Sequence, residues 1–207
     1  MSVGAAFCGL TCRRGGVGAA VRRVAHYDCW SDSIRRPILL DGRAGWVAYG
    51  PAERQVVEIA RRLAAGEAPA SIGDVRGTVR IAGDRSAVPP DAVFIPSVEA
   101  VMEDDTAFEE AFRLWYRQRN AARPLPVVQL AANRWVVEMP PAVPFSTAEM
   151  DRACDRPFTR RAHPLYDRAG GVPALRTVEF SVIGHRGCAG GCAFCTLFAH
   201  QGKAIQS

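Results

Sequence analysis

The sequence predicts an α/β fold, and three observations carry that prediction. A short apolar run, Trp46–Tyr49, passes through Gly50-Pro51 into an amphipathic helix at Glu53–Ala65. Strand, tight turn and helix together are the repeating unit of α/β proteins. A longer helical pattern spans Glu99–Asn120, carrying Met102, Phe108, Phe112, Leu114, Trp115 and Tyr116. Two β-rich runs, Val127–Ala131 and Trp135–Met139, then flank Ala132-Asn133 as a hairpin.

The elements follow in order. Residues 1–14 are rich in Gly, Ala and Cys, lack periodicity, and are expected to be poorly ordered. Val17–Ala25 predicts a short helix. A second helix, capped by Ser31 or Asp32, runs toward Leu40 with Pro37 kinking or delaying it. In Glu53–Ala65, Val56, Val57, Ile59, Ala60 and Leu63 form the apolar face, and Gly66 stops the helix. Ile72–Ile81 contains a strand with Gly77 inside it. Asp84–Pro96 reads as a Pro-rich linker, and Pro140–Pro144 as a second break. Ser146 or Thr147 caps a helix to Ala153, with Glu149 near the third position. Asp155–Val172 is irregular, Thr177–Ile183 alternates as a strand, and Phe194–His200 opens a helix.

Composition narrows the class. At 207 residues, 48% hydrophobic and 23% charged, the chain can bury a core and is not globally disordered. No apolar run approaches the roughly 18 residues of a membrane span, and no basic region precedes Met1–Leu10 as in a signal peptide. The chain therefore reads as cytoplasmic, without a membrane partner. The net charge of +5 comes from 26 basic residues, all arginine except Lys203. They lie in scattered pairs (Arg22–Arg23, Arg35–Arg36, Arg61–Arg62, Arg160–Arg161) that read as solvated faces rather than a nucleic-acid stripe.

Of seven cysteines, three crowd into Cys188-Ala-Gly-Gly-Cys192-Ala-Phe-Cys195. In a cytosolic setting such crowding favours metal binding or thiol chemistry over disulfides. Gly187, Gly190 and Gly191 let the backbone curl so that the sulfurs point inward. Zinc would need a fourth donor, with His185 and His200 as candidates. A four-iron four-sulfur cluster would use three cysteines and leave one iron open. Cys8 and Cys12 share a C-x3-C spacing in the unassigned segment, and Cys29 and Cys154 are isolated. His26, Tyr27, Asp28, Trp30 and Asp32 form a polar–aromatic patch suited to substrate contact or to a hydrogen-bonded interdomain loop. The Gly50–Glu53 turn has the strand-to-helix geometry that receives phosphates.

The C-x3-C-x2-C spacing, with Phe194 before the third cysteine and a strand before the loop, resembles the radical S-adenosylmethionine superfamily. The stretches Arg22–Asp32, Ile38–Asp41, Glu53–Leu63, Pro157–Arg160, His163–Tyr166, Gly170–Ala174 and Phe180–Ser207 resemble the YgiQ-type members of it, across roughly Gly15 to Ser207. Gly18 departs from the acidic residue usual there, and Cys29 from an aromatic. The resemblance implies an α/β chain with a partial Rossmann-like domain over 15–96. A helix and β-hairpin connecting segment over 97–172 follows. Residues 173–207 then supply the first β-strand and iron–sulfur loop of a truncated radical SAM (β/α) barrel, after an unassigned 1–14.

Cys188, Cys192 and Cys195 would hold the cluster by this resemblance. S-adenosylmethionine would chelate the open iron and be cleaved reductively to a 5′-deoxyadenosyl radical, with the substrate unknown and an electron donor required. Phe194 would pack beside the adenine or anchor the following helix. His185 and Arg186 would tune the cluster by hydrogen bonds or remain solvated. Family members are several times longer, so the isolated chain is expected to be an inactive part of an enzyme. The competing expectation is a zinc-binding, arginine-rich nucleic-acid-binding module.

Overall fold

The apolar strand at Trp46 and the hairpin at Val127 belong to one six-stranded sheet in the computed structural model, which describes the backbone of residues 12–14 together with residues 17–42 and 44–207. Strand β1 (Cys12–Arg14) leads to α1 (Val17–Val21) and a small antiparallel hairpin, β2 (His26–Asp28) with β3 (Ser33–Arg35). Then come α2 (Ile38–Asp41), β4 (Trp46–Ala48), α3 (Glu53–Ala64) and β5 (Thr78–Ala82). After these follow β6 (Val93–Ile95), α4 (Val98–Glu103), α5 (Asp105–Asn120), β7 (Val127–Ala131) and β8 (Arg134–Glu138). Helices α6 (Thr147–Cys154) and α7 (Leu197–Gln201) come last in the described order. The expectations for residues 1–11, including Cys8, lie outside the described residues.

The sheet order is β1-β4-β5-β8-β7-β6. Only the two outer pairs, β1/β4 and β6/β7, are parallel; the inner pairs are antiparallel. Successive side chains of a strand point to opposite faces, and the core divides accordingly. Val47, Val79, Val127 and Val136 face the main core with Leu39, Val98 and Trp115. Val128 and Val137 face a second cluster with Val88 and Met139, while Trp46 packs with Ile59 of α3, Ile72 and Val75.

Several expectations are corrected. The sheet is mixed, and the hairpin expected as a connecting segment supplies two of its strands. The supposed linker Asp84–Pro96 contains β6, whose parallel pairing with β7 is a non-local contact that prolines at 89, 90 and 96 disguise. The Glu99–Asn120 pattern is two helices, because Asp104 leaves helical geometry and caps α5 by accepting the Thr106 N–H. The helix expected from Ser31 toward Leu40 is a hairpin turned at Asp32 (φ 47°), with Pro37 starting α2 rather than kinking a longer helix. On α3 the most buried residue is Gln55, not a valine; its amide donates to the Tyr49 carbonyl, while Val57 is exposed.

Thr177–Ile183 forms no strand. Pro173–Thr177 is a 3-10 turn, and Phe180, Val182 and Ile183 stand 90%, 88% and 67% exposed. A strand exists through its ladder partners, and no described strand lies beside this segment. Among the described residues no helix is long and apolar enough to cross a membrane.

Candidate functional site

The cysteine loop lies between the irregular stretch that ends at Arg186 and α7, and the three thiols are free. Cys188 and Cys195 are half-buried and Cys192 is exposed. The first two sulfurs come together over Gly190: a Cβ there would lie 3.4 Å from Cys188 Sγ and 3.7 Å from Cys192 Sγ. The Cys195 N–H donates to the Cys192 carbonyl at 3.0 Å, and Cys195 Sγ accepts the Leu197 N–H at 3.5 Å. Among the described residues no three His, Cys, Asp or Glu side chains stand gathered around a common point. Three thiols within eight residues are nonetheless the donor set of a soft metal centre, and the donor chemistry fits an iron–sulfur cluster.

The loop is braced from both sides. The Arg186 N–H donates to the Gln206 carbonyl at 2.9 Å, and the Gln206 N–H returns to Arg186 at 3.0 Å. Between them the Cys188 N–H donates to the Gly202 carbonyl at 3.0 Å. Gly187, at φ +89°, sits against the Ala204 carbonyl, where a side chain would collide. The side chain of Arg186 pairs with Glu53 of α3 at 2.7 Å. Glu53, an acid at the first position of α3, thus stands at the turn whose strand-to-helix geometry suits a phosphate. Gly50 makes its own close approach, to the His200 carbonyl.

Phe194 is 92% exposed and anchors nothing. The anchoring ring is Phe198, edge-on to Tyr116 of α5 at 6.0 Å, while Arg119 Nη2 donates to the Ala199 carbonyl at 2.6 Å. His185 is exposed, and His200 has Nδ1 buried without a hydrogen-bond partner; neither joins the thiols. Cys29 and Cys154 are exposed. In the His26 patch, the Tyr27 hydroxyl donates to Asp32 and that of Ser31 to Asp28, closing the tip of the small hairpin on itself. Trp30 is left 92% exposed there.

Beneath α7 lies a group that the sequence did not reveal. Arg23, read as half of a solvated pair, is 1% exposed. Its guanidinium stacks 4.1 Å from the Tyr49 ring centre and lies 3.5 Å from Glu138. Arg119 approaches the same Glu138 oxygen at 3.7 Å, and Trp115 Nε1 donates to the other at 2.8 Å. Burial pulls the Arg23 pKa down to about 10, against the upward pull of Glu138. Burial raises the Tyr49 phenol well above its usual value. The His200 imidazole is lowered, first by burial and then by the positive Arg23. An arginine doublet carries no local signal of burial; only its position after α1, under the sheet's core face, places it inside.

The profile of the Radical SAM N-terminal family matches residues 3–181, ending before the cysteine loop. The chain is 45% identical over 196 residues to a UPF0313 protein of Methanocella arvoryzae, which covers 93% of this chain and 32% of that protein. It is 42% identical over 193 residues to a UPF0313 protein of Geobacter sulfurreducens, covering 93% and 32%. With a UPF0313 protein of Bradyrhizobium diazoefficiens it shares 40% over 212 residues, covering 93% and 31%. The chain spans about a third of the length of these curated relatives. No solved structure matches it.

Proposed function

Since the chain belongs to the Radical SAM N-terminal family, and its relatives are the YgiQ-type UPF0313 proteins, we propose that it carries the cluster loop of a radical S-adenosylmethionine protein of unknown substrate. Cys188, Cys192 and Cys195 are the ligands for three irons of a four-iron four-sulfur cluster, and S-adenosylmethionine takes the fourth. When bound, that cluster supplies the electron that cleaves S-adenosylmethionine to a 5′-deoxyadenosyl radical.

The chain's own residues do the holding. The thiolates bind metal, the first two sulfurs both lie near Gly190, and the Arg186–Gln206 bridge ties the loop's two ends. Phe194 offers an open ring face for the adenine. The supporting observation is the set of three free thiols with a glycine between the first two. The chain spans about a third of the length of its relatives, and by itself it is expected to bind the cluster without productive cleavage.

The test is anaerobic reconstitution with ferrous iron and sulfide. The expected product is a brown protein with about four irons and four sulfides per chain, lost when any of the three cysteines is replaced by alanine. A colourless protein holding one zinc, or iron uptake indifferent to those replacements, would overturn the reading.

A further inference from the structure

A cleft of about 490 Å³ opens between the end of β4, the Pro141–Phe145 segment and residues of the stretch from Arg186 to Gln206 that holds the cysteine loop. Four of its lining residues are basic: Arg76, Arg119, Arg186 and Lys203. Among the described residues, no aspartate or glutamate lines it. Three lining side chains also keep buried nitrogens with no hydrogen-bond partner: Arg119 at Nε and Nη1, Arg186 at Nη1, and His200 at Nδ1. The Arg119 side chain is only 6% exposed. Polar groups so deeply buried are almost always satisfied, and an unanswered cationic donor is the most costly kind to leave bare.

The acids behind the wall do not settle the account. Glu138 answers both Arg23 and Arg119 with a single charge, and Glu53 answers one side of Arg186. The surplus is positive, and Arg119, Arg186, His200 and Lys203 all line an open volume large enough for a small metabolite.

We propose that this cleft is a binding site for the oxyanion of a small molecule, a carboxylate or a phosphate. Arg119 and Arg186 make charge-assisted hydrogen bonds to it and Lys203 gives a further charge at the rim. The floor of the cleft includes Gly202, whose carbonyl accepts the Cys188 N–H, so a ligand seated there lies beside the cysteine loop. Anion binding does not depend on the cluster reading, and either can fail alone.

The test titrates the metal-free 207-residue chain by calorimetry with inorganic phosphate and, separately, citrate. Sodium chloride at matched ionic strength is the control. Saturable binding of phosphate points to a phosphorylated ligand, and of citrate to a carboxylate; either supports the site. Arg186→Gln is expected to raise the Kd about tenfold. Lys203→Gln, at an exposed side chain whose ammonium lies 5.5 and 5.4 Å from the Tyr116 and Phe198 ring centres, is expected to raise it severalfold with unchanged circular dichroism. Arg61→Gln removes the same charge from the exposed face of α3 and is expected to change nothing. No heat beyond that of chloride, or equal loss in Arg61→Gln and Lys203→Gln, would overturn the site.

Discussion

The Glu138 carboxylate lies 3.5 Å from Arg23 Nε, with both side chains closed off from water. Among the described residues it is the one acid facing two buried guanidinium groups, since Arg119 reaches the same oxygen. Removing one member of a buried ion pair strands the other and typically costs about 3–5 kcal/mol. Glu138→Gln retains an acceptor for Trp115 and is expected to lose that much in urea unfolding. Adding Arg23→Met, which removes the stranded charge, is expected to recover part of it. A loss under about 1 kcal/mol for Glu138→Gln would show that the three charges are not coupled.

The start of α6 predicts an acid-side dependence of stability. Glu149 is held down to about 2 from a usual 4.5, mainly by hydrogen bonds from Arg54 and then by those from the Ser146 backbone and hydroxyl. Because the folded carboxyl is the stronger acid, its contribution is fully present above 4.5 and drains away as pH falls toward 2. Melting temperature measured between those limits is expected to fall more steeply for the native chain than for Glu149→Gln. Parallel curves would mean that the Arg54 contact carries no linkage.

Gly187 predicts a separation of loop from sheet. Its φ of +89° and its place against the Ala204 carbonyl leave no room for a methyl group. Gly187→Ala is therefore expected to break the Arg186–Gln206 bridge at a local cost of about 1–3 kcal/mol. Far-UV circular dichroism should be unchanged while the iron retained after reconstitution drops severalfold. Full iron retention would show that the glycine's conformation is dispensable to the loop.

Local chemistry made part of this molecule legible. The Ser146/Glu149 capping box forms as its residue types require, and the two-residue turn at Ala132-Asn133 closes β7 on β8 as an antiparallel hairpin. What escaped was set by contacts distant in sequence. Strand β6 exists through parallel pairing with β7, Gln55 is buried because the Tyr49 carbonyl awaits its amide, and Arg23 is inside because Glu138 and Tyr49 meet it there. The cysteine loop stands out in the sequence by its spacing alone; its cationic surroundings do not, since arginines distribute over surface and interior without a pattern of their own. Thr177–Ile183 shows the converse, an alternating pattern with no ladder beside it.

The strand order β1-β4-β5-β8-β7-β6 also bears on how the chain assembles. The β7–β8 hairpin, closed by a two-residue turn, needs little loop entropy and occupies the sheet's interior. Each margin is a three-residue parallel strand, joined only after a long crossover has been ordered. Order therefore spreads outward from the hairpin, and β1 and β6 are the last to join and the first to fray.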